Sequence, residues 1–302
     1  MIEQICPRCS YAAVAGDVFC EDCGLELPFA PAAHASESVG RVAVVSDVGR
    51  RRQTNEDSFA LVEVGDALVV VVCDGVSTTR DAARAATLAS RTAALTIVEG
   101  LTAESAVTVE RVASLITGAV AAAQRKVAAL DYEGAPGRTV GGAPSSTLVM
   151  AVVLKDAAVI GNVGDSRAYW ISDADAQHLI TADDVEGAPG VTADDAEGTP
   201  QELSRLITRW IGSDADRLPP RISVLPLNEP GWLVLCTDGL WRYLDDAAAL
   251  AQAVRRTAAT TTTEPNGIAD DLVRIALENG GSDNVTVAVA RLHPAVEREV
   301  GA

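Results

Sequence analysis

The stretch ALVVVVCDG, residues 67–75, decides the fold class. It opens with an unbroken apolar run that includes four consecutive valines, and it ends on an acid followed by glycine. A run this short and this rich in β-branched residues, closed by a turn pair, reads as a strand. Asp74 then stands just past a strand end, at the rim of a sheet. The same design recurs along the chain. LVLCTDG at 233–239 carries Asp238-Gly239 after an apolar run, and GGSDNVTVAV at 280–289 places Asp283-Asn284 just before one. NVGDSR at 162–167 sets Asp165 at a strand edge, and NEDS at 55–58 brings Glu56 and Asp57 after the first run. An isolated Asp-Gly is no more than a turn signal. Five such acids meeting in one place could not all stay ionised and unpaired, and hard divalent cations would be needed to hold them together.

Outward from this stretch, β-like runs appear at 41–47, 147–154, 157–163, 167–171, 232–237 and 285–291. Helix-like segments appear at about 80–99, 104–130, 201–211, 245–258 and 266–279. The first two helices are long, Ala-rich and consecutive. Strands in groups with helices in pairs between them predict an α+β layered fold rather than strict βαβ alternation. Residues 28–39 (PFAPAAHASESV) are rich in Pro, Ala and Ser and read as a linker. A near-repeat, Thr181-Ala-Asp-Asp and Thr192-Ala-Asp-Asp, resembles two helix N-caps with acids in the first turn. Its spacing fits no EF-hand loop, so it reads as a solvated, mobile flap.

The chain has 302 residues, 48% of them hydrophobic and 22% charged, with a formal net charge of −18. This is a globular composition with enough length to bury a core without disulfides. The negative charge argues against nucleic acid and anionic membranes as partners. An acidic protein acting on phosphate needs local positive charge, and metal ions supply it. Met1–Ser10 is polar rather than a secretory leader. The longest apolar run, 67–73, is too short to cross a bilayer. These features predict a cytoplasmic protein. His34, His178 and His293 fall outside every motif, which argues against a histidine-based hydrolase.

Four of the six cysteines form two pairs, Cys6-Pro-Arg-Cys9 and Cys20-Glu-Asp-Cys23. Two intervening residues let both thiolates of a pair face one ion, and four soft sulfurs suit tetrahedral zinc. The segment resembles a zinc ribbon, which would hold one structural zinc. Four free or disulfide-linked thiols are the plainer reading, but so small a segment has no other means of holding a fold. Cys73 and Cys236, each ending an apolar run beside an acid, read as buried core residues.

The motif set resembles the PPM family of metal-dependent serine/threonine phosphatases, also called the protein phosphatase 2C type. SDVGRRRQTNEDS (46–58), VCDGVS (72–77), SSTLVMAVV (145–153), NVGDSRAYW (162–170), LITRWIG (206–212), LCTDGLW (235–241) and GGSDNVTVAV (280–289) follow in the family's order. The resemblance implies an αββα sandwich, two antiparallel sheets packed face to face with helices outside. The implied layout is a zinc ribbon at 1–27, a linker at 28–39, the phosphatase domain at 40–293 and a tail at 294–302. It implies two manganese or magnesium ions. Asp74 would bridge them, with the Gly75 carbonyl on the first and Asp238 and Asp283 on the second. Asp57 and Glu56 would bind directly or through water. Asp165 would serve a third ion, and Asn284 would orient Asp283. Arg52 aligns with the arginine that grips the substrate phosphate, where a guanidinium can make paired bonds. Arg50 and Arg51 read as surface charge. The reaction implied is hydrolysis of phosphoserine or phosphothreonine by a two-metal-activated water, opposing a cognate serine/threonine kinase.

Three departures stand against the family pattern. Val76-Ser77-Thr78 replaces the usual turn after Asp74-Gly75. Arg242 stands where an acid often helps to hold a third ion, so third-ion binding is expected to be weak and an acid restored at 242 to strengthen ion-dependent turnover. The 181–200 segment lacks the family's acid-His sequence, which bears on substrate choice. Two other functions remain open on the sequence: a non-catalytic sensor or scaffold acting through the ribbon, and a phosphatase for small phosphorylated molecules.

Overall fold

The computed structural model describes residues 4–5, 12–13, 31–79, 81–103, 107–132, 142–185, 207–215 and 219–294. Near the N-terminus β1 (Gln4–Ile5) pairs antiparallel with β2 (Ala12–Ala13). Cys6, Cys9, Cys20 and Cys23 lie outside the described residues.

The main body is two antiparallel sheets. The six-stranded sheet is built from β3 (His34–Val39), β4 (Val42–Asp47), β10 (Arg167–Ser172), β11 (Gln177–Leu179), β14 (Gly231–Cys236) and β15 (Val285–Leu292), in the order β11-β10-β14-β15-β4-β3. The five-stranded sheet contains β5 (Asp57–Val64), β6 (Ala67–Asp74), β8 (Leu148–Val153), β9 (Ala157–Val163) and β13 (Arg221–Pro226), in the order β13-β9-β8-β6-β5. A small pair joins β7 (Ser145–Ser146) to β12 (Ile211–Gly212). Helices α1 (Ala82–Thr102) and α2 (Val109–Tyr132) cover the five-stranded sheet, while α4 (Ala247–Thr260) and α5 (Pro265–Glu278) cover the other. A single turn, α3 (Asp238–Trp241), follows β14.

Alternation along the strands generates these layers. On β6, Val69, Val71 and Cys73 face α1 and α2, while Leu68, Val70 and Val72 fill the space between the sheets. On β15, Val285, Val287 and Val289 face the other helix pair, while Ala288, Ala290 and Leu292 point inward. Both sheets are therefore buried on two faces, so their central strands are unbroken apolar runs. The sequence expectation of an αββα sandwich holds. Cys73 and Cys236 are buried with free thiols, as read from the sequence.

Three local expectations differ. Residues 34–39, read as part of a linker, form the edge strand β3, paired along its length with β4. Backbone pairing alone makes it a strand. Its side chains are mostly exposed and polar, so no apolar period marks it. Of the helix expected at 201–211, residues 207–211 are described and are not helical. Ile207 bridges to Val185, and Ile211 joins Ser146. The first of the two acid repeats is no solvated flap. Thr181 and Asp184 are buried, and Asp183 pairs with Arg167 at 2.6 Å. The second repeat lies outside the described residues. Among the described residues no helix is long and apolar enough to cross a membrane.

Candidate metal centre

The inter-sheet core turns polar at one end. Carrying each strand's inward face one step further reaches Ser46 on β4, Asp57 on β5, Asp74 on β6, Thr147 before β8, Ser166 before β10, Thr237 after β14 and Thr286 on β15. Thr147, Ser166, Thr237, Thr286 and Ser46 are all buried. The acids read from the sequence thus gather where the two sheets open.

Asp57 and Asp74 are register partners on β5 and β6. Asp57 Oδ2 accepts hydrogen bonds from Thr237 Oγ1 at 2.9 Å and Thr286 Oγ1 at 2.8 Å. Thr286 in turn meets Ser46 Oγ at 2.8 Å, and Asn55 Nδ2 donates to Ser46 at 2.9 Å. The other oxygen, Asp57 Oδ1, is buried without a hydrogen-bond partner among the described residues. A buried anionic oxygen left bare is costly, and an electrophile is the natural complement. Sequence reasoning missed the Ser46–Asn55–Thr237–Thr286 scaffold. The signal was there, since each hydroxyl residue occupies an inward strand position whose neighbours are apolar.

Two Asp-Gly pairs are required by close approach. A Cβ at Gly75 would lie 2.5 Å from the Ala82 carbonyl oxygen, and one at Gly239 would lie 1.9 Å from that of Asn284. Only glycine lets these chains pass so near. Gly75 N–H also donates to the Glu56 carbonyl at 3.1 Å, tying the 56–57 and 74–75 turns together. Asn284 clamps the arginine-rich loop. Its Oδ1 accepts from Glu56 N–H at 2.8 Å, and its Nδ2 donates to the carbonyls of Val48 and Thr54 at 2.9 and 3.0 Å. The sequence assigned it to orienting Asp283 and the turn; its backbone N–H donates to Asp283 Oδ1 at 2.9 Å, and its side chain holds the loop that carries Arg52 and Glu56.

Electrostatics show how crowded the centre is. Burial, opposed by the Thr286 and Thr237 bonds and reinforced by the charges of Asp238 and Asp283, pushes the Asp57 carboxyl up to about 8. Asp74 is pushed well above the carboxylate range by burial and then by the charges of Asp57, Asp238, Asp165 and Asp283. Burial, with Asp238 and Asp183 nearby, raises Asp165 to about 7. Burial raises Asp238 to about 6 against the pull of Arg242. Asp74 therefore lies within electrostatic reach of the other four acids.

Two arginines stand among them. Arg52 donates to Asp283 Oδ2 at 2.8 Å and to Ser77 Oγ at 3.3 Å, and lies 3.9 Å from Glu56. Arg242 pairs with Asp238 and lies 3.9 Å from Asp283 Oδ2. Among the described residues no three acidic, histidine or cysteine side chains close around one point. Asp238 and Asp283 are instead paired with the two guanidinium groups. Carboxylate donors, mutual repulsion and the bare Asp57 oxygen still fit hard divalent cations such as magnesium or manganese. Beyond the centre, Trp241 Nε1 donates to the Asp165 carbonyl at 2.9 Å, and Arg167 stacks on the Trp241 ring at 3.9 Å. Asp184, wholly buried, accepts from Arg209, Arg221 and Gly164 N–H at 3.1, 2.8 and 3.1 Å, anchoring the turn beside Asp165.

The family profile of protein phosphatase 2C matches residues 49–275, which is most of the chain. The chain belongs to the protein phosphatase 2C family. Among curated family relatives, protein phosphatase 2C homolog 1 of Saccharomyces cerevisiae is 45% identical over 74 residues, covering 24% of each chain. The serine/threonine phosphatase stp of Listeria innocua is 25% identical over 252 residues, covering 80% of this chain and 92% of its own. The matches span about a quarter to a half of the length of the three relatives that precede it in similarity. Of solved structures, the catalytic domain of the serine/threonine phosphatase PstP in complex with two manganese ions is 25% identical. It superposes with a TM-score of 0.62 over 84% of this chain and 98% of that one.

Proposed function

We propose that this chain is a protein serine/threonine phosphatase whose paired manganese or magnesium ions are held by Asp57, Asp74, Asp238, Asp283 and the Gly75 carbonyl. The observation that carries the reading is the buried, bare Asp57 Oδ1, with Asp74 opposite it on the neighbouring strand and Asp238 and Asp283 within electrostatic reach. Membership of the family and the likeness to a two-manganese phosphatase support it. When bound, the ions supply charge neutralisation and an acidified water for attack on phosphorus.

The chain's own groups do the rest. Thr237 and Thr286 fix the Asp57 carboxylate so that its second oxygen faces the centre. Gly75 and Gly239 let the loops approach closely enough for acids from separate strands to meet. Arg52, one-third exposed at the rim, binds two phosphate oxygens and orients the ester, leaving its Asp283 contact as the substrate arrives. Asn284 keeps that arginine's loop in register. Glu56 and Asp165 serve as outer acids. The expected substrates are phosphoproteins made by a cognate serine/threonine kinase.

We also assign residues 1–27 to a ribbon holding one structural zinc through Cys6, Cys9, Cys20 and Cys23. The cysteine spacing and the β1–β2 pairing that brackets the first pair support this. The phosphatase domain takes residues 40–293 together with β3, and 294–302 form a tail. Buried free thiols at Cys73 and Cys236 support a cytoplasmic setting.

The test is hydrolysis of p-nitrophenyl phosphate and of a phosphothreonine peptide with manganese, with and without chelator, beside Asp74→Asn. Manganese-dependent turnover that vanishes in the variant is expected. Turnover no higher than the variant's, in folded protein, would leave a non-catalytic scaffold.

A further inference from the structure

Arg242 has no part in the scheme above, yet it contacts two of the proposed ion ligands. Its guanidinium forms an ion pair with Asp238 Oδ2 and lies 3.9 Å from Asp283 Oδ2. Arg52 donates to that same Asp283 oxygen at 2.8 Å. The two carboxylates assigned to one ion are therefore already neutralised by two guanidinium groups.

The Arg242 contact is built in rather than incidental. Asp238 opens the single turn α3 and Arg242 closes it, a spacing of four residues that stacks their side chains. Arg242 N–H donates to the Asp238 carbonyl at 3.0 Å. The neighbouring Trp241 is pinned by its bond to the Asp165 carbonyl and by the Arg167 stack. The backbone under Arg242 is thus fixed on both sides, and its guanidinium, with 32% of the side chain exposed, is aimed at Asp238.

We propose that Arg242 is an intramolecular competitor for the divalent ion, holding the Asp238 oxygen that the ion must take. This rests on the ion site proposed above. Ion entry exchanges a guanidinium contact for a metal contact, so the free energy of the Arg242–Asp238 pair is subtracted from ion affinity. The centre is consequently stable without its ions and loads only where divalent cations are plentiful. By reciprocity, whatever weakens the pair tightens the ion.

The experiment is calorimetric titration of the full chain with manganese chloride, comparing wild type with Arg242→Gln, Arg242→Lys, Arg51→Gln and Asp74→Asn. Circular dichroism checks that each is folded. Arg51 is exposed and has no carboxylate partner among the described residues, so its loss controls for charge alone. A partly exposed pair of this kind predicts manganese binding tighter by about fivefold or more in Arg242→Gln. Arg242→Lys and Arg51→Gln should stay within about twofold of wild type, since neither removes a cation from Asp238. Unchanged or weaker binding in Arg242→Gln overturns the proposal. So does equal tightening in Arg51→Gln, which would show that net charge is the cause. If instead Asp74→Asn binds manganese as wild type does, the ion site itself is misplaced, a different failure from that of the competitor.

Discussion

Replacing Thr286 with valine removes one hydroxyl from the buried support of Asp57 and keeps the side-chain shape. Thr286 Oγ1 donates to Asp57 Oδ2 at 2.8 Å and accepts from Ser46, whose own acceptor role toward Asn55 is undisturbed. Without ions, burial holds the Asp57 carboxyl at about 8, so at pH 7 it is largely protonated and the lost bond is one between neutral groups. Such a bond contributes about 1 kcal/mol. With ions the carboxylate is ionised, and a bond to a charged group contributes about 1.5–3 kcal/mol. The stranded Ser46 hydroxyl costs the same in both states and cancels. Thr286→Val should therefore lose about 0.5–2 kcal/mol more stability with manganese than with chelator. That difference is the loss in ion binding, a weakening of roughly two- to thirtyfold. Urea unfolding of both proteins at pH 7, with excess manganese and with chelator, measures the cycle. Equal losses in the two conditions, with an unchanged manganese titration, would refute the role given to Asp57.

Two further outcomes follow from the same geometry. Gly239→Ala would place a methyl 1.9 Å from the Asn284 carbonyl oxygen, against backbone that cannot yield cheaply. It should cost at least about 1–3 kcal/mol in urea unfolding and lose manganese binding, as Asp238 and Asp283 are forced apart. A fully stable variant would show that this approach is not needed. The second outcome is a pH dependence. Burial raises Asp57, Asp165 and Asp238 to about 8, 7 and 6, so the folded, ion-free chain keeps protons that the unfolded chain has released. The unfolded state binds fewer protons in this window, so stability falls as pH rises from about 4 to 8. Melting temperature in chelator should drop across that range, and the gain on adding manganese should be larger at pH 8 than at pH 6. A flat or rising profile in chelator would contradict the shared burial of these acids.

Much of the site was legible because it lies at strand ends. An apolar run that ends in Asp-Gly, or opens just after Asp-Asn, records both a buried strand and the acid at its end, so Asp74, Asp238 and Asp283 could be named with their elements. Asn284 was named too, but not that its side chain bonds to Val48, Thr54 and Glu56 while its backbone N–H holds Asp283. β3 escaped notice because an edge strand is specified by a neighbour's backbone, not by its own side chains. Thr181–Asp184 looked like a loose acidic loop because its partners, Arg167, Arg209 and Arg221, come from other strands and loops.

By itself, then, the sequence determined the α+β layering, most of the strands and the acids that stand at their ends. These follow from local periodicity and from turn chemistry, which act over a few residues. Only the tertiary structure decided which hydroxyls support Asp57, that its second oxygen stays bare, and that Arg242 lies on Asp238 beside Arg52. Apart from the Arg242–Asp238 pair, whose members are four residues apart, those facts depend on distances between segments far apart in the chain, because charge and hydrogen bonding are felt through space and not along the backbone.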